Sequence, residues 1–258
     1  MLCIDLDNTL IYSYKHPLSG RKRCVEIYHG REISFLTEKT YQLLLKIEQL
    51  VRIIPVTTRT VEQYERIALG IGPLPYALVC NGGVLLADGR QDAAWYERSL
   101  ELVEDCRGEL ERAVRYLELE DNRIFEIRLI NGLFVFTKCR FPQQTVQRMV
   151  KKLQLLYTDV FCNGEKVYVV PKVLNKGTAV QRFREYIKAE QVLAAGDSLF
   201  DIPMLEQADV AAAPYGCAWT ENKLPGHIRV MPQEGVFSEF LLEYLLDYLL
   251  ESLGADSK

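Results

Sequence analysis

The sequence predicts an α/β fold whose parallel sheet is interrupted by an α+β insert. Short apolar segments alternate with helical periodicity in the first third of the chain and again in the last third. Between them the order changes to helix, hairpin, helix, hairpin, which is typical of a separate antiparallel layer. An alternation that stops and later resumes indicates a discontinuous core, residues 1–81 and 171–258, with an insert at residues 82–170.

Apolar spacing and capping residues define the elements of the first part. They are, in order, a strand at 2–6, a helix at 37–50, a strand at 51–56, a helix from Thr60 to about residue 69 and a strand at 76–80. Thr60 and Gln63 have the spacing of a capping box. The segment 11–36 predicts a small hairpin that turns at His29-Gly30. This hairpin is locally basic, so it is either a flap that attracts an anionic substrate or a solvated surface hairpin.

Turn residues and periodicity likewise define the insert and the last part. The insert elements are a long helix at 97–119, strands at 124–130 and 133–139, a helix at 142–156 and strands at 160–161 and 167–170. Asn131-Gly132 and Asn163-Gly164 are hairpin turns. The last part contains a helix from Lys176, strands at 192–195, 209–213 and 228–231, a helix from Asp201 and a final helix from about residue 234.

Composition excludes several classes of protein. The chain is 48% hydrophobic with a formal charge of −4, which argues against disorder and against a broad basic face for nucleic acid. Seven well-separated cysteines without a C-x-x-C pair indicate reduced thiols. The first residues lack the basic start and apolar stretch of a signal peptide, and no segment has the composition of a membrane span. We therefore expect a cytoplasmic protein without a membrane or nucleic-acid partner.

Two polar motifs follow strands of the first part. Asp5 and Asp7 stand at the end of a buried strand, where such a pair suits nucleophilic and proton-transfer chemistry or a divalent metal, although an Asp-Asn turn is the alternative. Thr57 and Thr58 follow the second strand, where hydroxyls and backbone N–H groups form an anion seat. Thr60 already serves as the helix cap, so these two threonines need another explanation.

Two further motifs lie in the last part. Lys176 stands in the first turn of a helix, where a cation opposes the helix dipole unless an anion meets it; a solvated surface lysine is the alternative. Asp197 follows a very apolar strand and Asp201 follows four residues later. Capping explains Asp201 but not Asp197, whereas a metal ligand explains Asp197. Because the carboxyl ends of parallel strands meet at one edge, all four motifs are expected to face one crevice.

Together, Asp-x-Asp-x-Thr at 5–9, the strand-end Thr57, the helix-start Lys176 and Gly-Asp-x-x-x-Asp at 196–201 resemble the four motifs of the haloacid dehalogenase-like (HAD) phosphohydrolases, in that family's order. The insert resembles the type IIB cap of Cof-type sugar-phosphate phosphatases and sucrose-phosphate phosphatase. The resemblance covers essentially the whole chain. It implies a three-layer Rossmann-like core with a parallel sheet and an inserted α+β cap.

The resemblance also implies roles for the carboxylates. Asp5 would be the nucleophile that forms an aspartyl-phosphate, and Asp7 the general acid and then the base. Mg²⁺ would be held by Asp5, the backbone carbonyl of Asp7 and Asp197, while Asp201 either completes the metal site or positions Lys176. Asp7 favours phosphatase or phosphomutase chemistry within the superfamily.

The remaining site residues are assigned to the phosphate and to the substrate. Thr57, Thr58 and Lys176 would bind phosphoryl oxygens. The candidates for substrate specificity are Arg59, Asn81, Arg128, Lys138 and Lys166. Thr58 departs from the Thr-Gly-Arg of Cof-like relatives, so the backbone there is less free.

The sequence thus predicts a Mg²⁺-dependent phosphatase for a small phosphomonoester, a sugar phosphate or related polyol phosphate. One alternative is a phosphomutase of the same family. The other is a catalytically silent HAD-like protein that binds a phosphorylated ligand. The apolar final helix is expected in the core, with a dimer contact as the alternative, so the protein is expected to be a monomer or homodimer.

Overall fold

A computed structural model describes residues 1–217 and 225–255, with side chains to residue 253. The chain divides into two compact units. The core unit comprises residues 1–91 and those from Lys176 onward, and the insert unit comprises Asp92–Asn175. These divisions fall ten and five residues after the predicted positions 81/82 and 170/171.

The described strands, in chain order, are β1 (Leu2–Ile4), β2 (Tyr12–Ser13), β3 (Lys22–Tyr28), β4 (Arg31–Thr37), β5 (Ile53–Pro55), β6 (Tyr76–Val79), β7 (Val84–Ala87), β8 (Arg90–Gln91), β9 (Arg128–Ile130), β10 (Phe134–Lys138), β11 (Thr158–Asn163), β12 (Lys166–Pro171), β13 (Leu193–Ala195), β14 (Val210–Ala213) and β15 (Ile228–Val230). The described α-helices are α1 (Glu38–Glu48), α2 (Val61–Tyr64), α3 (Ala93–Leu102), α4 (Arg107–Glu118), α5 (Pro142–Lys152), α6 (Lys176–Ile187), α7 (Ile202–Glu206) and α8 (Phe237–Ala255).

A five-stranded parallel sheet forms the centre of the core unit. Its order is β15-β14-β13-β1-β5, and every neighbouring pair is parallel. The strands are nearly uniformly apolar, as expected where helices cover both faces of a parallel sheet. The predicted α/β class is therefore confirmed, and β1 lies between β13 and β5.

The strands β6, β7 and β8 form a three-stranded sheet beside β5, the edge strand of the central sheet. A single parallel bridge joins Val56 to Leu78 of β6, and the Thr57 N–H donates to the Leu78 carbonyl at 2.8 Å. β7 returns antiparallel to β6, and β8 pairs with β7. Because these pairings attach residues 84–91 to β6, the insert unit begins later than the sequence predicts.

The hairpin predicted in segment 11–36 is confirmed. β3 and β4 pair antiparallel and turn at His29 and Gly30, both of which have positive φ, as a type I′ turn requires. β2 adds a third strand beside β4. The register of β3 shifts on both sides of Glu26, so β3 carries a bulge there.

The helix expected from Thr60 to residue 69 ends early. The capping box of Thr60 and Gln63 is present, but α2 is only four residues long. The following chain pairs with β3 instead: Ile67 bridges Glu26, and the Ala68 N–H donates to the Val25 carbonyl at 2.8 Å. Tertiary pairing with the hairpin therefore replaces further helical turns.

The insert unit has the predicted α+β order with one correction. The single helix predicted at 97–119 is two helices, α3 and α4, separated by a 3-10 turn at Glu104–Cys106. Val103 and Cys106 are both buried at this turn. The sheet order is β11-β12-β10-β9, antiparallel throughout.

Apolar packing accounts for the final helix. Leu241, Leu242, Leu245 and Leu249 of α8 are buried in the cluster that also contains β1 and α1 side chains. This confirms the expectation that the helix belongs to the core. Among residues 1–217 and 225–255, no helix combines the length and apolar character needed to cross a bilayer.

A close approach of α6 to α7 gives a test of the packing. A Cβ added at Gly177 would lie 2.3 Å from the Pro203 carbonyl oxygen, a backbone atom that cannot rotate away. We expect Gly177→Ala to lower the free energy of unfolding by about 1–3 kcal/mol, measured by urea denaturation. Gly108→Ala in α4 is the control, because the nearest atom is 3.8 Å away. It should raise stability by about 0.5–1 kcal/mol through helix propensity, and equal effects of the two substitutions would contradict the tight contact.

Candidate active site

Strand register brings the polar motifs of the core unit to one edge. Ile4 lies in register with Pro55 of β5 and Ala195 of β13. The Asp5 N–H donates to the Ala195 carbonyl at 2.9 Å. The residues that follow β1, β5 and β13 therefore emerge side by side, which is where open α/β sheets place their ligand sites.

Lys176 joins two of these motifs. Its Nζ donates to Oδ1 of Asp5 at 2.5 Å and to Oδ1 of Asp201 at 2.5 Å. The side chain is 1% exposed, so the lysine is not a solvated surface residue. Burial lowers the pKa of Lys176, but the charges and hydrogen bonds of Asp201 and Asp5 outweigh burial and raise it overall. Lys176 is thus a buried, fixed cation.

Asp201 is held on both carboxylate oxygens. Its Oδ2 accepts from the Ser198 N–H at 2.9 Å and from the Ser198 hydroxyl at 2.6 Å. Asp201 stands at the N-cap position of α7, but its side chain makes no capping hydrogen bond. Asp201 therefore occupies the expected N-cap position, but its carboxylate does not cap the helix, because Lys176 and Ser198 bind its two oxygens. A Cβ at Gly196 would collide with this side chain at 2.3 Å.

Three carboxylates form a cluster suited to a cation. Asp5, Asp197 and Asp201 each offer an oxygen, and these atoms lie within 4.8 Å of one another. Burial, together with the neighbouring carboxylates, raises the pKa of Asp5 well above its ordinary range despite Lys176. Burial and the Asp201 charge raise the pKa of Asp197 to about 7. Crowded hard oxygen donors with raised proton affinity fit Mg²⁺, which would offset their mutual repulsion.

Asp7 lies beyond this cluster, on a tight turn. Asn8 has a left-handed φ of 61°, and the Leu6 carbonyl accepts from the N–H groups of the next three residues after Asn8. The Asp7 side chain is 49% exposed. Arg59 binds its carboxylate with two bonds, Nε to Oδ2 at 2.7 Å and Nη2 to Oδ1 at 2.8 Å. The turn places Asp7 at the solvent side of Asp5.

The threonine motif follows β5 at the same edge. Thr57 is buried, and its hydroxyl accepts from the Arg59 N–H at 3.2 Å. Thr58 is half-buried. The Asn81 N–H donates to the Thr57 carbonyl at 2.9 Å, so the loop after β6 braces this motif. Asn81 itself is buried with a left-handed φ of 59°.

The three candidate cations of the insert unit share one face of its sheet. Lys138 lies opposite Lys166, and Arg128 lies opposite Phe136, two residues before Lys138. Cross-strand partners and residues two apart point to the same side. The other face packs against α4 and α5 through apolar side chains such as Val135. Periodicity by itself left this face undetermined.

Two residues of the site are absent from the sequence-based assignment. Ser198 holds Asp201, and its position three residues earlier is the only local signal. Glu26 is a buried carboxylate that binds Arg59 at 2.9 and 3.0 Å. The sequence shows an acidic residue in a basic segment. It does not show that the Glu26 side chain points inward, because that depends on the bulge in β3.

Comparisons with known proteins concern the fold and part of the chain. The family model described as haloacid dehalogenase-like hydrolase matches residues 107–213. No curated protein matches the chain. The sucrose-phosphatase of Synechocystis sp. PCC6803, solved with sucrose and phosphate, has a TM-score of 0.66 at 15% identity, with 96% of each chain covered.

Two other solved structures have similar folds. A trehalose-6-phosphate phosphatase related protein has a TM-score of 0.55 at 15% identity, with both chains fully covered. The phosphatase BT1666 of Bacteroides thetaiotaomicron, of the same superfamily, has a TM-score of 0.56 at 14% identity, covering 96% of this chain and 94% of that one. The chain therefore shares its fold with these solved structures. The residues matched by the family model include Lys176, Asp197 and Asp201 but not Asp5, Asp7 or Thr57.

The acidic cluster predicts a pH-dependent response to metal. The pKa values of Asp5 and Asp197 are raised in the folded protein, so these carboxyl groups keep their protons to higher pH there. In the unfolded chain the same groups lose their protons near the ordinary pKa of 3.8. Without metal, the cluster therefore loses stability as pH rises from about 4 to 7. We expect Mg²⁺ to raise Tm more at pH 8 than at pH 5, measured by differential scanning fluorimetry, because the cation replaces those protons.

A matched pair of variants checks this assignment. Asp197→Asn should lose most of the Mg²⁺-induced shift at pH 8. Asp88→Asn, an exposed carboxylate on a turn, should keep it. A shift of equal size at both pH values, or one retained in Asp197→Asn, would contradict the cation site.

Proposed function

We propose that the protein is a Mg²⁺-dependent phosphatase that hydrolyses a small phosphomonoester through an aspartyl-phosphate. The observation that supports this most directly is the buried Asp5–Lys176–Asp201 arrangement at the strand edge. A fixed cation beside a carboxylate nucleophile provides what phosphoryl transfer requires, namely alignment and positive charge near the equatorial oxygens.

The first step transfers the phosphoryl group to Asp5. A carboxylate oxygen of Asp5 forms a bond to phosphorus while the ester P–O bond breaks. The departing alkoxide takes the proton of Asp7, whose side chain faces solvent where an alcohol can leave. In this proposal Lys176 and the hydroxyl groups of Thr57 and Thr58 hold the oxygens of the transferring group.

The second step returns Asp5 to its starting state. Asp7, now a carboxylate, takes a proton from water, and the water oxygen bonds to phosphorus as the Asp5–phosphorus linkage breaks. Inorganic phosphate leaves and Asp7 is protonated again. Together the two steps consume one ester and one water and release one alcohol and one phosphate.

Asp5 and Asp197 would hold the metal, together with the backbone carbonyl of Asp7. When bound, Mg²⁺ offsets the repulsion between the carboxylates and the phosphate. Asp201 has both oxygens occupied by Lys176 and Ser198. We therefore assign Asp201 to positioning Lys176, in preference to direct ligation.

We propose a sugar phosphate as the class of substrate. Support comes from the fold shared with a sucrose-phosphatase and with a trehalose-6-phosphate phosphatase related protein. The cation-bearing face of the insert sheet carries Arg128, Lys138 and Lys166 beside aromatic residues. Cations and aromatic rings on one face suit the hydroxyl groups and the apolar face of a sugar.

The nucleophile can be tested directly. We expect Asp5→Asn to lower phosphate release by on the order of a thousandfold or more, because an amide cannot form the acyl-phosphate. Phosphate release from p-nitrophenyl phosphate and a panel of sugar, polyol and nucleoside phosphates, with Mg²⁺ fixed, provides the measurement. Asp88→Asn is the matched control and should retain full activity.

The same assay distinguishes the alternatives. Undiminished release by Asp5→Asn would exclude the aspartyl-phosphate. Isomerisation of a sugar phosphate without free phosphate would identify a phosphomutase. Stabilisation by phosphorylated ligands with no turnover would identify a binding protein.

A second test concerns the substrate face. We expect Lys138→Ala to raise KM for a sugar phosphate about tenfold with a smaller change in kcat, because a charge-assisted hydrogen bond is lost. Hydrolysis of p-nitrophenyl phosphate, which lacks the sugar, should be unchanged. Lys151→Ala, an exposed lysine of α5, is the control. Equal KM values in the two variants would contradict the assignment of Lys138.

A further inference from the structure

Arg59 is fully committed inside the core unit. Its Nε and Nη2 bind the two oxygens of Asp7, as described above. Nη1 and Nη2 bind the two oxygens of Glu26 at 2.9 and 3.0 Å, and Nη1 also donates to the Gln63 carbonyl at 3.3 Å. A guanidinium has five N–H donors, so these contacts use all of them. The geometry therefore favours a positioning role for Arg59 over the predicted contact with substrate.

Glu26 binds the guanidinium of Arg59 on the side away from solvent. Its side chain is 1% exposed. Oε1 also accepts from Arg66 Nε at 3.0 Å, and Oε2 accepts from the Ser34 hydroxyl at 2.6 Å. Two arginines and a serine thus hold a buried carboxylate whose two oxygens face the guanidinium of Arg59.

A bulge in β3 directs the Glu26 side chain toward the interior. In a regular strand, neighbouring side chains point to opposite faces, yet Val25 and Glu26 are both buried. The register shifts on both sides of Glu26 allow this. Bulges that redirect a side chain are common beside active sites. The bridge from Glu26 to Ile67 fixes the same point from the other edge.

We propose that Glu26 is a positioning residue for the acid–base group: it holds the guanidinium of Arg59 so that Arg59 orients the carboxyl group of Asp7. This inference rests on the proposed phosphatase function and assigns the β3–β4 hairpin a part in it. The bidentate contact fixes the plane of the Asp7 carboxyl group, which must meet first the leaving oxygen and then a water.

The charges of the network are consistent with this role. Glu26 lies in ion-pair contact with both Arg59 and Arg66, and Arg59 also contacts Asp7. Burial raises the pKa of Glu26, but hydrogen bonds from Arg59, Ser34 and Arg66 outweigh burial and lower it overall. Glu26 is therefore a charged anchor at neutral pH. Removing the Glu26 charge would leave part of this buried guanidinium unpaired, so we expect Glu26 to stabilise the position of Arg59.

The test uses two aryl esters of similar size that differ in leaving group. Phenyl phosphate needs a proton from the general acid, whereas p-nitrophenyl phosphate releases a stable anion that does not. We expect Glu26→Gln to lower kcat/KM for phenyl phosphate by about tenfold or more, and for p-nitrophenyl phosphate by much less. This ratio depends on proton transfer, so a general loss of structure would not change it. Glu32→Gln, an exposed glutamate on the same hairpin, should leave both values unchanged.

A double-mutant cycle locates the effect. In an Asp7→Asn background, Glu26→Gln should cause no further loss on phenyl phosphate, because both changes remove the same proton transfer. If Glu26→Gln fails to fold, Ser34→Ala removes a single hydrogen bond to Glu26 and should produce a weaker change of the same ratio.

Separate results overturn the two proposals. Equal losses on both esters, or a further loss in the Asp7→Asn background, would overturn the role of Glu26. If Asp5→Asn abolishes turnover and neither Glu26→Gln nor Ser34→Ala alters the ratio, the phosphatase proposal stands and the role of Glu26 falls. If the wild-type protein with Mg²⁺ hydrolyses neither ester nor any phosphate of the panel, both proposals fail.

Discussion

The buried ammonium of Lys176 between Asp5 and Asp201 is the interaction on which the site depends. A charge removed from water must be paired and hydrogen-bonded, and removing one partner of such a pair costs about 3–5 kcal/mol. Here the pairing joins the end of β1, the start of α6 and the start of α7, three segments far apart in the chain. Gly177 and Gly196 permit the approach, because a side chain at either position would collide with Pro203 or Asp201. The same contacts therefore join these segments of the core unit and fix the position of Asp5, the proposed nucleophile.

A second charge network is arranged around Asp7. Here the central group is a guanidinium, and its flat shape orients two carboxylates at once. Because Asp7 is half exposed while Glu26 is buried, the network connects the solvent side of the site to the interior of the β3–β4 hairpin. In the proposed mechanism the two networks have different tasks. Lys176 and the acidic cluster would bind phosphate and metal, whereas Arg59 and Glu26 would orient the proton-transfer group.

Several features follow from local sequence. Apolar strands, the Thr60–Gln63 capping box, and the His29-Gly30 and Asn131-Gly132 turns were predictable, because each depends on neighbouring residues. The motif residues were predictable as a set, because parallel strands end at a common edge. The length of α2, the break between α3 and α4 and the assignment of β7 and β8 to the core unit were not. In each of these places, pairing or burial with distant residues outweighs local helical or turn preference.

The sequence by itself determined the class of fold, the order of the motifs and the set of carboxylates, since residue type and spacing carry that information. Only the tertiary structure decided what each charge binds. In the folded chain Lys176 is buried and both oxygens of Asp201 accept hydrogen bonds. Glu26 faces Arg59 because β3 carries a bulge, which the alternation of residues does not predict. The physical reason is that a charge acquires its role from partners within about 3 Å, and here those partners are brought together by sheet register and helix packing across long stretches of chain.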